Sequence, residues 1–317
     1  MDIYTSPPAT ASCVITPVAP YDFGWALAYL RSSPSAILET IDSDAGTYQR
    51  ALRLAGRDVV LSLRTTGTVA HPKLVMNSTD ADVLVAAEQT MRRIFHLDVD
   101  PTPFLAVVAG DPVLARLVQR FAGLRPVLIA SPYEALLWAI IGQQINVTFA
   151  AKLKRTLIDL CGDALTVAGT TYRFFPTPAT VAALDPQQLR DHQFSQQKTA
   201  YLIGVSQAIA TGTLDLAAIA ALPFDDAVNV LTAHKGIGRW TAEYVLMRGL
   251  GTRDSIPAAD IGLRAVIGRA YDLGRKASET EVRAYAEHWA GWRGWAAFYW
   301  WLALQLETTA DRRHLRA

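Results

Sequence analysis

The residues best placed to do chemistry lie between Leu231 and Leu263. Gly236-Ile237-Gly238 separates two helical patterns, one ending near Thr232 and one running from Arg239 to about Met247. Glycine at a bend tolerates positive φ and has no Cβ to hold another backbone away. The N–H groups of Gly236, Ile237 and Gly238, with the first turn of the second helix, are expected to face outward as unpaired donors. A helix N-terminus of that kind suits a phosphate oxygen. Asp260 closes the Gly- and Pro-containing loop that follows. The stretch therefore offers an anion-gripping hairpin and a lone carboxylate behind it. Each half also has a plainer use. Glycines between core helices can be only a turn. Asp260 opens the apolar-periodic segment Ile261–Tyr271, where the commonest role of an aspartate is to cap the helix. The two roles of Asp260 can hold at once.

The elements that must position these residues are mostly helices. Ser131-Pro132-Tyr133-Glu134 has Ser as N-cap, Pro at the first helical position and Glu three residues after the cap, and the helix continues through LLWAIIGQQ. Val147 to about Leu160 is the next apolar-periodic segment. Thr177-Pro178 and Asp185-Pro186 are further cap-plus-Pro starts, Lys198 to Thr211 stops at Gly212, and Leu216–Ala221 is a short helix. Asp225–Thr232, Glu279–Trp289 and Trp292–Leu306 complete the set, and Asp111 caps a segment reaching about Phe121. The N-terminal part reads differently. A loose arm is expected up to about Pro20, then an aromatic-rich helix over Tyr21–Leu30. Strands are expected over Ala36–Ile41, Tyr48–Leu54, Val59–Thr65 and Lys73–Met76, with Gly56-Arg57 as a hairpin turn. Ser78 or Asp80 then caps a helix to about Phe95. The expected class is α+β: a small antiparallel-sheet α/β domain over residues 1–98 and two all-α domains. One helical domain spans 125–254 and carries a helix-hairpin-helix at 231–250; the other combines 99–124 with 255–317.

Composition bounds the function. The chain has 317 residues, 51% hydrophobic and 19% charged, which suits folded domains with substantial cores. A net charge of +1 confines any nucleic-acid contact to a local patch. Two cysteines, Cys13 and Cys161, cannot supply four thiolates for a zinc or iron–sulfur site, and nothing suggests a disulfide framework. A reducing compartment fits. The N-terminus lacks the basic and apolar regions of a signal peptide, and the run Trp295–Leu304 is too short to span a bilayer. A cytoplasmic protein, in the bacterial cytosol or nucleoid, is the expectation.

The ordered set PYDFGWALAYL, AIIGQQINVTFAAKL, FPTPATVAALDPQQL, GIGRWTAEYVLMRGLG, AEHWAGWR and WRGWAAFYWWLAL resembles the 3-methyladenine DNA glycosylase II family, the AlkA type within the helix-hairpin-helix-GPD superfamily. The resemblance covers nearly the whole chain. It implies a mixed α/β N-terminal domain and two helical domains with the active cleft between them. It also implies a partner, double-stranded DNA with alkylated bases, and a monomeric enzyme with no membrane association.

Carried over residue by residue, the resemblance makes Asp260 the catalytic carboxylate. Breaking an N-glycosidic bond builds oxocarbenium-like charge on the deoxyribose, which a fixed carboxylate stabilises while orienting water. Pro257 lies further before Asp260 than the family's proline, which alters the loop and not the acid. Trp240 stands where bifunctional relatives carry lysine; without that amine no Schiff base forms, so hydrolysis by water is expected. Trp240, Tyr244, Trp301 and Tyr29 are the expected base pocket, where electron-rich rings attract an alkylated, cationic purine. Leu302 replaces a second aromatic, which implies a more open pocket. Taken one at a time these aromatics are as readily core, and most of Trp295, Tyr299 and Trp300 is expected to be so. DNA contacts are expected from Gly236, Gly238 and Thr241 through backbone amides and from Arg239 and Arg264. Gln144 or Ile145 is the expected wedge that fills the gap left by a flipped base. No cofactor is required; a monovalent cation at the hairpin would be held by the carbonyls of Thr232, His234 and Ile237. The implied substrates are 3-methyladenine and 7-methylguanine, with hypoxanthine or 1-methyladenine as further candidates. The alternatives are a glycosylase for oxidised or mismatched bases, a non-catalytic helix-hairpin-helix DNA lesion-binding protein, and a helical domain with no DNA role.

Overall fold

A computed structural model describes residues Thr10–His314, with side chains described through Leu306. It is α+β. The N-terminal part runs β1 (Ala11–Ile15), α1 (Phe23–Ser32), β2 (Glu39–Asp42), β3 (Thr47–Leu54), β4 (Arg57–Thr65), β5 (Leu74–Ser78) and α2 (Leu84–Ile94). The five strands form one antiparallel sheet in the order β1-β5-β4-β3-β2. The expected loose arm is corrected where it is described: Ala11–Ile15 pairs with Leu74–Ser78 and buries Ile15 completely. The rest of the arm, before Thr10, lies outside the described residues. The β3–β4 turn falls one residue earlier than expected, on Ala55 (φ 48°) and Gly56 (φ 77°). A two-residue hairpin loop that follows the strand twist needs positive φ at both positions. The helix expected to start from Ser78 or Asp80 begins only at Leu84 and has no side-chain cap; Asp80 instead pairs with Arg57 at 2.9 Å.

The remainder runs α3 (Thr102–Val108), α4 (Pro112–Arg120), α5 (Pro132–Gly142), α6 (Val147–Cys161), β6 (Ala164–Val167), β7 (Thr170–Arg173), α7 (Pro178–Ala182), α8 (Pro186–Asp191), α9 (Gln196–Ala210), α10 (Leu216–Ile219), α11 (Phe224–Thr232) and α12 (Arg239–Val245). A π-helical turn (Leu246–Leu250), α13 (Ile261–Ala270), α14 (Glu279–Ala286), a 3-10 turn (Glu287–Trp289) and α15 (Arg293–His314) follow. Local capping accounts for the starts: Asp111, Ser131, Thr177, Asp185 and Asp260 each accept from a first-turn N–H. The β6–β7 hairpin interrupts what the sequence reads as helix. Its turn repeats the Ala-Gly solution, with Ala168 at φ 48° and Gly169 at φ 81°. Tyr172 and the neighbouring Phe174 pack on Ala51 and Val60, and the Tyr172 hydroxyl donates to Gln49 Oε1 at 2.9 Å. The hairpin thus covers the face of the sheet turned away from α2.

The helix α5 is buried from Tyr133 to Ile141 and is the axis on which α6, α9, α12 and the π turn pack. A Cβ on Gly249 would lie 2.9 Å from Ala135 and Pro132, so the π turn can approach α5 this closely only with glycine there. Glu134 does not close the expected capping box. Its N–H takes the Ser131 hydroxyl, but its carboxylate turns inward to Arg50 of β3 and to Lys154 of α6. His96, after α2, is buried with Nδ1 2.8 Å from the Pro126 carbonyl, and burial pushes it down to about 4. The unfolded chain then binds the extra proton between the ordinary value of 6.5 and about 4, so stability falls as pH drops through that window. Full traverse of the window removes roughly 3 kcal/mol. Thermal melts should show wild type losing more stability than His96→Gln between pH 7 and pH 5; equal losses would rule His96 out as the cause. Among the described residues, no helix is long and apolar enough to cross a membrane.

Candidate active site

Asp260 sits at the start of α13, where its Oδ1 accepts from Leu263 N–H at 2.8 Å and from Trp301 Nε1 at 3.2 Å. Its own N–H donates to the Pro257 carbonyl at 2.8 Å, so the proline three residues back closes the loop as a turn. Burial pushes the carboxyl above its ordinary range, against the Leu263 N–H and the Trp301 indole. The Trp240 indole N–H lies near enough to favour the charged form although it falls short of a hydrogen bond and finds no other partner. The fixed N–H donors favour the anion and offset part of the burial that favours the neutral acid.

Aromatic rings lead from the hairpin to that acid. Trp240 and Tyr244 lie one turn apart on α12 with centroids 5.5 Å apart, and Tyr244 is 5.9 Å from Trp301 of α15. Trp240 is half-buried and faces a cleft; Tyr244 and Trp301 are buried but for 7% of their surface. The structure therefore brings Trp240, Tyr244, Trp301 and Asp260 into one wall. Tyr29 is not in its accessible face. It is 2% exposed, its ring lies tilted against Phe298 with centroids 4.4 Å apart, and its hydroxyl accepts from Arg248. Trp295, Tyr299 and Trp300 are core.

The hairpin leans on α9. Gly236 has φ 93°, and a Cβ there would fall 2.4 Å from the Tyr201 ring. At Gly238 a Cβ would meet no protein atom, so the protein itself does not require glycine there. Among the described residues, the backbone N–H groups of Gly236, Gly238 and Thr241 donate to no acceptor. Arg239 and Arg264 are pinned at Nε, to Glu243 at 2.9 Å and to the Ala277 carbonyl at 2.7 Å, which aims each guanidinium. Glu243, fully buried, also takes Arg283 at 2.9 Å. The Thr232 and Ile237 carbonyls accept no hydrogen bond among the described residues, and the His234 carbonyl accepts only the Ile237 N–H.

The α5–α6 loop holds the expected wedge. Gln144 is exposed with φ 59°, and Ile145 is half-buried beside it. Two residues that sequence reasoning missed lock this loop. Gln143 Nε2 donates to the Gly236 carbonyl at 2.9 Å and to Thr241 Oγ1 at 3.0 Å. Lys198 Nζ donates to the Ile141 and Gln143 carbonyls at 2.7 Å each. The available signal was a cation in the first turn of α9, where the helix dipole disfavours it. A cleft of about 1100 Å³ runs along the hairpin and this loop, with Gln144, Lys198, Tyr201, His234 and Trp240 in its lining. Also missed were Ile261, an apolar side chain 67% exposed next to Asp260, and Arg248, a charge inside the apolar run YVLMRGL.

Residues 137–291 match the HhH-GPD superfamily of base excision DNA repair proteins, and residues 17–127 match the AlkA N-terminal domain. The chain is 31% identical over 287 residues to DNA-3-methyladenine glycosylase 2 of Escherichia coli (strain K12), covering 89% of this chain and 94% of that one. It is 37% identical over 210 residues to a DNA-3-methyladenine glycosylase of Bacillus subtilis (strain 168), covering 66% and 69%. The solved 3-methyladenine DNA-glycosylase from Archaeoglobus fulgidus superposes with a TM-score of 0.79 at 26% identity over 92% of this chain and 97% of that one. The chain belongs to the HhH-GPD superfamily of base excision DNA repair proteins, in the branch that carries the AlkA N-terminal domain.

Proposed function

We propose that the chain is a monofunctional DNA glycosylase of base excision repair. It flips an alkylated base out of duplex DNA and hydrolyses its N-glycosidic bond, leaving an abasic site. The observation that carries this reading is Asp260 hydrogen-bonded to Trp301, at one end of the ring series Trp240–Tyr244–Trp301. The hairpin amides of Gly236, Gly238 and Thr241 grip a phosphate, with Arg239 and Arg264 as flanking cations. A monovalent cation on the Thr232, His234 and Ile237 carbonyls would supply further positive charge to the same backbone. Gln144, on a loop locked by Gln143 and Lys198, enters the space the base leaves, with Ile145 beside it.

The flipped purine, made cationic by alkylation at N3 or N7, stacks against the aromatic wall. As the glycosidic bond stretches, positive charge grows on the sugar. Asp260 faces that charge and holds the attacking water, and the alkylated base leaves with the bonding pair. Trp240 occupies the site where an amine would attack the sugar. Lys198 cannot replace it, since its ammonium is committed to two carbonyls. The protein is proposed to act as a monomer in the cytosol, and 3-methyladenine and 7-methylguanine are the proposed substrates.

The test is release of free bases from methylated duplex DNA, resolved by base identity. The expected result is release of both purines, with the strand left intact until the abasic site is cleaved by alkali. Strand cleavage by the protein itself would overturn the monofunctional reading. No release, with tight binding to an abasic-site duplex, would point to a lesion-binding protein instead.

A further inference from the structure

Arg248 projects inward from the π turn and is 4% exposed. Its guanidinium lies 5.1 Å from the ring centre of Tyr29, 5.2 Å from Phe298 and 5.8 Å from Trp301. One terminal nitrogen donates to the Tyr29 hydroxyl and the other to the Val127 carbonyl at 2.9 Å; Nε is buried with no partner. Among the described residues no carboxylate pairs with it, whereas the buried Arg50 has two. A guanidinium stays charged throughout the range in which proteins fold. An unpaired buried cation is costly, and an apolar side chain of similar volume would pack the same space without that cost. Packing alone therefore does not account for an arginine here.

What distinguishes the position is its neighbour. Trp301 bonds to Asp260 and closes the aromatic wall, and Arg248 already draws on the π face of that same ring. A positively charged base stacked in the wall competes for the same ring density and meets a fixed like charge behind it. A neutral base of the same shape keeps its stacking and feels neither penalty to first order.

We infer that Arg248 is a specificity-determining residue: its charge weakens the pocket's hold on cationic bases relative to neutral ones, and so widens the lesion range toward uncharged bases. The inference rests on the glycosylase reading above.

The test compares binding to two duplexes that cannot be cleaved because a 2′-fluoro-arabino sugar resists oxocarbenium formation. One carries 7-methylguanine, the other guanine, at the same position. The quantity read is the ratio of the two dissociation constants, which a general loss of folded protein does not change. Arg248→Met should raise the preference for 7-methylguanine about tenfold, and Arg248→Lys, which keeps the charge, should stay near the wild-type ratio. A ratio unchanged in Arg248→Met, or raised equally in Arg248→Lys, overturns the inference. Base release from methylated duplex by wild type is run in parallel, so failure of the glycosylase reading shows there as no release and is separate from an unchanged ratio.

Discussion

Asp260→Asn loses on the order of a thousandfold or more of its base-release rate, while its affinity for an abasic-site duplex stays within a few-fold of wild type. The substitution keeps an oxygen where Leu263 N–H and Trp301 Nε1 donate, so the α13 cap and the Trp301 position survive. What is removed is the negative charge proposed to face the developing cation. Single-turnover release from methylated duplex measures the first quantity, and titration of an abasic duplex the second. Full activity in Asp260→Asn would remove the acid from the mechanism. A joint collapse of activity, binding and melting temperature would show that the residue is needed only to hold the fold.

Burial makes a companion result for the same residue. It raises the carboxyl above its unfolded value, so the folded state binds more protons than the unfolded one between the two values. Stability therefore declines as pH rises through that window, and at neutral pH the ionised Asp260 is a net cost to the fold. Asp260→Asn should accordingly melt at or above the wild-type temperature. In the proposed mechanism the active form is the carboxylate, so kcat/KM should fall on the acid side at a higher pH than an ordinary aspartate would give.

Asp260 is legible in the sequence as a helix cap because that role is local; its role as an acid comes only from the resemblance of the whole ordered set of segments. Gly236 answers to Tyr201 on α9, whereas the Pro257 turn, the cap at Asp260 and the rings one turn apart at Trp240 and Tyr244 are set by contacts within a few residues, and spacing reports such contacts. The same holds for the caps at Asp111, Ser131, Thr177 and Asp185. What the sequence hid depends on distant partners. Ala11–Ile15 becomes a strand only because β5 offers it an edge, and a run of small residues gives little sign of that. The β6–β7 hairpin is held by Tyr172 on Gln49, 123 residues away. Lys198 and Arg248 read as ordinary helix charges, and only the fold shows one bonded to the carbonyls that lead into the α5–α6 loop and the other buried beside the Trp301 ring. Tyr29 has the right type and place in the chain to line a cleft. The packing of Phe298 and Arg248 buries it instead.

Glu134 gives the largest expected stability effect. It is 84 residues from Arg50 in sequence and accepts from both Arg50 and Lys154 in a site closed to solvent, with Glu39 on the other side of Arg50. The four charges sum to zero, and they tie the N-terminal sheet to α5 and α6. Burial alone would push the Glu134 carboxyl up; the Arg50 and Lys154 charges more than reverse it and hold the group below its ordinary range. Its contribution is therefore present above the unfolded value and is lost as pH falls through the depressed one. Glu134→Gln removes one charge and leaves two buried cations facing a single carboxylate, which costs about 3–5 kcal/mol. That is a large part of the stability of a typical domain. Urea unfolding should show the midpoint falling sharply. A loss below about 1 kcal/mol would mean that water or rearrangement compensates the missing charge and that the cluster is not a tie. The double variant Glu134→Leu with Lys154→Met decides which account holds. Leu and Met take away one charge of each sign and leave Arg50 with Glu39. If the cost of Glu134→Gln comes from a stranded cation, the double variant recovers much of the loss. If it comes from the hydrogen bonds, it does not.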